Sequence, residues 1–93
     1  MSFVDSMVSV IMPTYNSGRF IADSIESVIC QTYNKWELII VDDASTDNTK
    51  AIVAEYIRKY SSIKYIFIEE NSGAAFARTK AISMAQGEYI AFL

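Results

Sequence analysis

Apolar residues in this chain gather in short dense runs, separated by stretches in which they recur every three or four positions. The first run, residues 8–13, is rich in valine and isoleucine, as a strand buried on both faces should be, and Pro13 is expected to end its ladder. From Arg19 to Gln31, residues Phe20, Ile21, Ile25, Val28 and Ile29 fall on one stripe of a predicted helix. Residues 36–41 predict a second strand, and 42–47 a loop that offers Ser45, Thr46 and Asp47 as alternative N-caps. A helix over 48–60 follows, with Ile52, Val53, Tyr56, Ile57 and Tyr60 facing inward. Residues 63–68 predict a third strand, and Asn71-Ser72-Gly73 a turn and cap. A small-residue helix over 74–85 should then be closed by Gly87 in a left-handed C-cap, before a fourth strand over 89–93.

Strands and helices that alternate in this way imply an α/β fold, a three-layer αβα sandwich around a parallel, Rossmann-like sheet of about four strands. The expected strand order is 3-2-1-4. Residues 8–93 read as one domain, preceded by an extension over 1–7. A content of 52% hydrophobic and 20% charged residues, with one proline and three glycines, leaves no stretch that reads as a linker. The net charge of −3 and the lack of a basic stripe argue against nucleic acid as a partner. Cys30 is the only cysteine and histidine is absent, so neither an internal disulfide nor a structural zinc site is expected. Cys30 itself reads as a packing residue, because no basic neighbour is present to activate it. No leader or membrane-length apolar run is evident, which predicts a cytoplasmic chain.

Ligands of open α/β sheets lie beyond the carboxyl ends of the strands, where the strand order reverses. The segment from Thr14 to Gly18 and the pair Asp42 and Asp43 should meet there. Carboxylates can accept hydrogen bonds from a ribose hydroxyl or a pyrimidine imide, and Tyr15 can face a base, so the parts suit a nucleoside. A diphosphate would need Arg78, the amide-rich start of the third helix and a divalent cation.

Taken in order, 8–16 (VSVIMPTYN), 27–33 (SVICQTY), 36–47 (WELIIVDDASTD), Asn71-Ser72-Gly73, Ala77-Arg78 and 87–93 (GEYIAFL) resemble the N-terminal nucleotide-binding half of the family 2 glycosyltransferases, which have the GT-A fold. The resemblance implies that Pro13, Thr14, Tyr15 and Asn16 line the nucleoside pocket, that Asp42 and Asp43 contact base or ribose, and that Arg78 lies near base or phosphates. It also implies a UDP-linked donor, inverting transfer to a hydroxyl acceptor of a polysaccharide or glycoconjugate, and a manganese or magnesium ion at the departing diphosphate. The family's metal-binding Asp-x-Asp follows the strand matched by 89–93, and its catalytic carboxylate lies further on. Neither a catalytic residue nor a metal ligand is therefore expected within these 93 residues. The chain alone is expected to be inactive, to bind nucleotide weakly at most, to hold no cation, and to self-associate through uncovered apolar surface. The longer parent could act at the cytoplasmic face of a membrane.

Plainer readings stand beside these. Asp42 and Asp43 could be loop formers and caps, Tyr15 and Asn16 turn residues, and Arg78, Arg58-Lys59 and Glu69-Glu70 solvated charges. A dinucleotide-dependent oxidoreductase also has an acid after its second strand, but 14–18 lacks the glycine-rich turn that fold needs. A receiver domain would carry its acid pair after the first strand, where Pro13-Thr14 stands. A nucleotide-binding module without chemistry of its own is the remaining alternative.

Overall fold

The computed structural model describes residues 6–69 and 74–93. The turn expected at Asn71-Ser72-Gly73, Glu70 and residues 1–5 of the extension lie outside the described residues. Seven elements follow one another: β1 (Val8–Thr14), α1 (Ile21–Ile29), β2 (Trp36–Asp43), α2 (Thr49–Lys59), β3 (Ile63–Ile68), α3 (Ala74–Met84) and β4 (Tyr89–Phe92). The strands form one parallel sheet in the order β3-β2-β1-β4. The chain steps outward from β1 to β3 and then returns past β1 to β4, so the order reverses between β1 and β4.

The two faces of the sheet have different cores because side chains alternate along each strand. Val10, Met12, Leu38, Ile40 and Ile63 pack against Ile21, Ile25 and Val28 of α1 and Val53 of α2. On the other face Ile11, Ile39 and Val41 meet Ala77 and Ala81 of α3. Ile11, Leu38, Ile39, Ile40 and Val41 are fully buried, and each such side chain contributes about 1.5–3 kcal/mol of transfer free energy. The alanines let α3 approach the sheet closely. Among the described residues no helix is long and apolar enough to cross a membrane.

Several boundaries differ from the sequence reading for identifiable reasons. Pro13 does not end β1, because Pro13 and Thr14 still pair with Val41 and Asp42. The Leu93 N–H donates to the Ile11 carbonyl, so by alternation Pro13 turns its missing N–H toward β4 and leaves the β2 side of the ladder intact. β2 likewise runs on through Asp42 and Asp43, which makes both acids strand residues. Helix α1 begins at Ile21, after a turn in which the Phe20 and Ile21 N–H groups donate to the Ser17 carbonyl. Phe20 is exposed as a result, as are Ile57 on the flank of α2 and Cys30 at the end of α1.

Gly87 is not a left-handed cap, since α3 ends at Met84 and Gly87 has no left-handed backbone. Its N–H donates to Ser9 Oγ (2.8 Å), and a Cβ there would lie 2.7 Å from the Ser9 nitrogen and 2.8 Å from the Met7 carbonyl oxygen. Close approach is thus what requires glycine. The same end of the sheet holds a buried polar cluster around Glu37. Its carboxylate accepts from Ser9 Oγ (2.5 Å), Lys64 Nζ (2.8 Å) and the Gln86 N–H (2.6 Å). Ser6 and Met7, the last residues before β1, are also fixed, because the Met7 carbonyl accepts from the Glu88 N–H and the Ser6 carbonyl from the Tyr33 hydroxyl.

Candidate functional site

At the carboxyl ends of β1 and β2 a cleft of ≈ 210 Å³ is lined by Pro13, Thr14, Tyr15, Ser17, Asp43 and Ala77. Three elements build it. β1 and the turn after it supply Pro13 to Ser17, the last residue of β2 supplies Asp43, and α3 closes the side with Ala77. The space is smaller than the roughly 300 Å³ at which whole small-molecule pockets begin, so it suits one end of a nucleotide sugar rather than all of it. Tyr15 is 53% exposed and stands at the mouth. The Thr14 hydroxyl is buried and has no hydrogen-bond partner among the described residues.

The tandem acids are separated by strand alternation. Asp43 lies on the α3 face with Ile39 and Val41 and lines the cleft, where it is half-buried. Asp42 lies on the α1–α2 face and is fully buried. Its Oδ2 accepts from the Tyr65 hydroxyl (2.5 Å) and its Oδ1 from the Ser45 N–H (2.9 Å). Burial, the hydrogen bond to Asp42 and the charges of Asp42 and Asp47 all push the Tyr65 phenol upward, so Tyr65 stays a neutral donor. Asp42 therefore holds the base of the loop over 44–48, and Asp43 is the acid that lines the cleft.

Asn16 does not line the cleft. It sits at φ 47°, a conformation asparagine tolerates, and its N–H donates to Ser45 Oγ (2.8 Å) while its Oδ1 accepts from the Thr46 N–H (2.8 Å). Beside it the Ser17 N–H donates to Thr49 Oγ1 (3.0 Å) and the Gly18 N–H to Asp47 Oδ2 (3.0 Å). The two loops after β1 and β2 are thereby stapled together. Asp47 Oδ1 also accepts from the Thr49 N–H (3.0 Å), so Asp47, and not Asn48 at the cap position, satisfies the first turn of α2. These bonds, the Thr49 hydroxyl foremost, hold the Asp47 carboxyl below the usual range despite a small opposing effect of burial.

Arg78 is exposed on α3 one residue past Ala77, a rotation of about 100° around the helix, and it is not among the cleft-lining residues. Sequence reasoning brought Ser17 to this edge within the segment from Thr14 to Gly18 without giving it a role, and it missed Ala77. The signal for Ala77 was the alanine spacing 77, 81, 85, which marks the face α3 turns to the sheet. No group of three acidic, cysteine or histidine side chains that could hold a metal occurs among the described residues. With one carboxylate at the cleft, these residues do not form a cation site.

The profile of glycosyl transferase family 2 matches residues 9–93. The chain belongs to that family. It is 48% identical over 89 residues to the UDP-Glc:alpha-D-GlcNAc-diphosphoundecaprenol beta-1,3-glucosyltransferase WfgD of Escherichia coli, covering 96% of this chain and 34% of that protein. Among solved structures it matches S. aureus TarS 1-349 in complex with UDP-GlcNAc, with a TM-score of 0.87 and 38% identity over 94% of this chain and 26% of that one. The mannosyltransferase PcManGT from Pyrobaculum calidifontis, in complex with GDP-Man and Mn2+, matches with a TM-score of 0.83 and 32% identity, covering 89% of this chain and 25% of that one. The family 2 chain thus has the sheet order and αβα layering of GT-A glycosyltransferases, and it spans about a third of the length of the curated relative WfgD.

Proposed function

We propose that this chain holds the nucleoside end of a UDP-linked sugar for a glycosyltransferase that inverts the anomeric centre. The observation that carries the reading is the convergence of Tyr15 from the turn after β1 and Asp43 from β2 on one cleft at the carboxyl edge. Asp43 accepts from an imide N–H or a ribose hydroxyl, and Tyr15 presents a ring to the base. The UDP-linked sugars named for WfgD and TarS support uridine, and the GDP-Man bound by PcManGT supports guanosine as the alternative.

In the proposed transfer the acceptor oxygen forms a bond to the anomeric carbon while the bond to the diphosphate oxygen breaks. The diphosphate leaves with the electron pair, and the hydroxyl proton passes to a base. No described residue is placed for that base, so the chain alone is expected to bind without catalysing transfer. We assign the acceptor to a polysaccharide or glycoconjugate hydroxyl, and the setting to the cytoplasm or the cytoplasmic face of a membrane. The divalent cation, for which the manganese of PcManGT is the support, is assigned to residues of the parent other than those described here. Titration with UDP, with and without manganese, tests the binding: the chain alone should bind weakly and with little dependence on the metal. A transfer assay tests the rest, because sugar transfer by the purified 93-residue chain would contradict the reading.

The edge strand β4 supports a second property. Tyr89, Ile90, Phe92 and Leu93 are all exposed on an edge that pairs with no further strand among the described residues and carries no charged side chain, and such edges pair with one another. We propose that two copies join through β4, which sedimentation should show as a dimer that Ile90→Lys dissociates.

A further inference from the structure

We propose that Asp47, which touches no part of the cleft, is a positioning residue for it. The inference rests on the nucleotide reading of the cleft and adds a residue that reading does not use. A helix cap needs one acceptor oxygen, and Asp47 spends two. Oδ1 takes the Thr49 N–H and hydroxyl (3.0 and 2.5 Å), and Oδ2 crosses to the Gly18 N–H (3.0 Å), 29 residues away in the chain. Thr49, fixed by Asp47, accepts in turn from the N–H of Ser17, a cleft residue. One exposed carboxylate therefore orders two consecutive amides of the rim.

The loops are in close contact: a Cβ on Gly18 would lie 1.9 Å from Asn48 Oδ1 and 2.9 Å from Asp47 Oδ2, so both side-chain ends would have to move to admit it. The second pair of staples, from Asn16 to Ser45 and Thr46, lies on the other side of Ser17. Tyr15 and Ser17 are held between β1 and this clamp, so the rim is ordered before a ligand arrives. Preorganisation of that kind lowers the ordering cost of binding. The same hydrogen bonds hold the carboxyl of Asp47 below its ordinary value.

Asp47→Ser separates the two roles, because serine can still accept from the Thr49 N–H while its shorter side chain cannot reach Gly18. The test reads amide hydrogen exchange at Ser17 and Gly18 together with the UDP dissociation constant from amide shifts, in the 93-residue chain and its Asp47→Ser variant. The expected result is faster exchange at both amides, unchanged protection in the strands, and about tenfold weaker UDP binding. Faster rim exchange with unchanged affinity would overturn the positioning role while leaving the nucleotide reading intact. Absence of UDP binding in the unsubstituted chain would overturn the nucleotide reading and the positioning role with it. If Asp47→Ser loses strand protection, Asp47→Asn, which keeps Oδ1, serves as the second variant, with the same two readouts deciding.

Discussion

Asp43→Ala removes the carboxylate that faces the cleft and leaves the ladder of β2 untouched, because strand pairing uses the backbone alone. It should weaken UDP binding by about tenfold or more, the value of one charge-assisted hydrogen bond. Asp42→Ala should lower stability. It leaves the Tyr65 hydroxyl and the Ser45 N–H without their acceptor at a partly buried site, at a cost of roughly 1–3 kcal/mol that urea unfolding would register. The adjacent acids were legible as a motif at the carboxyl edge. Their division of labour was not, because it depends on β2 continuing two residues beyond its apolar run so that alternation reaches both side chains.

At the scale of elements, the segment from α3 to β4 is fixed by close contact and a polar cluster. Gly87→Ala brings a methyl group against the Ser9 nitrogen and the Met7 carbonyl, backbone atoms that cannot turn aside. A loss of about 1–3 kcal/mol is expected in urea unfolding. Glu37 adds a pH dependence. Burial pushes its carboxyl upward, but hydrogen bonds from the Gln86 N–H, Lys64 and Ser9, with the charge of Lys64, outweigh this and hold it below its ordinary 4.5. A carboxyl lowered by folding stabilises the fold fully above 4.5, and the contribution fades as pH falls through the folded value. The stability gap between the native chain and Glu37→Gln should therefore be wide near neutrality and should shrink below 4.5. Helices and strands were legible here because periodicity reports burial directly. The Glu37 cluster was not, since residues 9, 37, 64 and 86 come together only once the sheet order is set.

For the whole molecule, sheet order decides where chemistry can occur. The return of the chain from β3 to β4 places α3 on the face opposite α1 and α2, and Ala77 then closes the cleft that β1 and β2 leave open. The parallel sheet was foreseeable from the alternation of elements, whereas its order was an expectation that alternation alone does not fix; the stapled loops were not legible, because their bonds join residues 16–18 to 45–49 through side chains with no periodic signature. The central claim, that this cleft seats a nucleoside, is tested most directly by nuclear Overhauser contacts between the uracil ring protons of UDP and the 93-residue chain. Contacts to Tyr15 and Ala77 that weaken in Asp43→Ala are the predicted result. Contacts elsewhere on the chain, with Tyr15 and Ala77 silent, would contradict it.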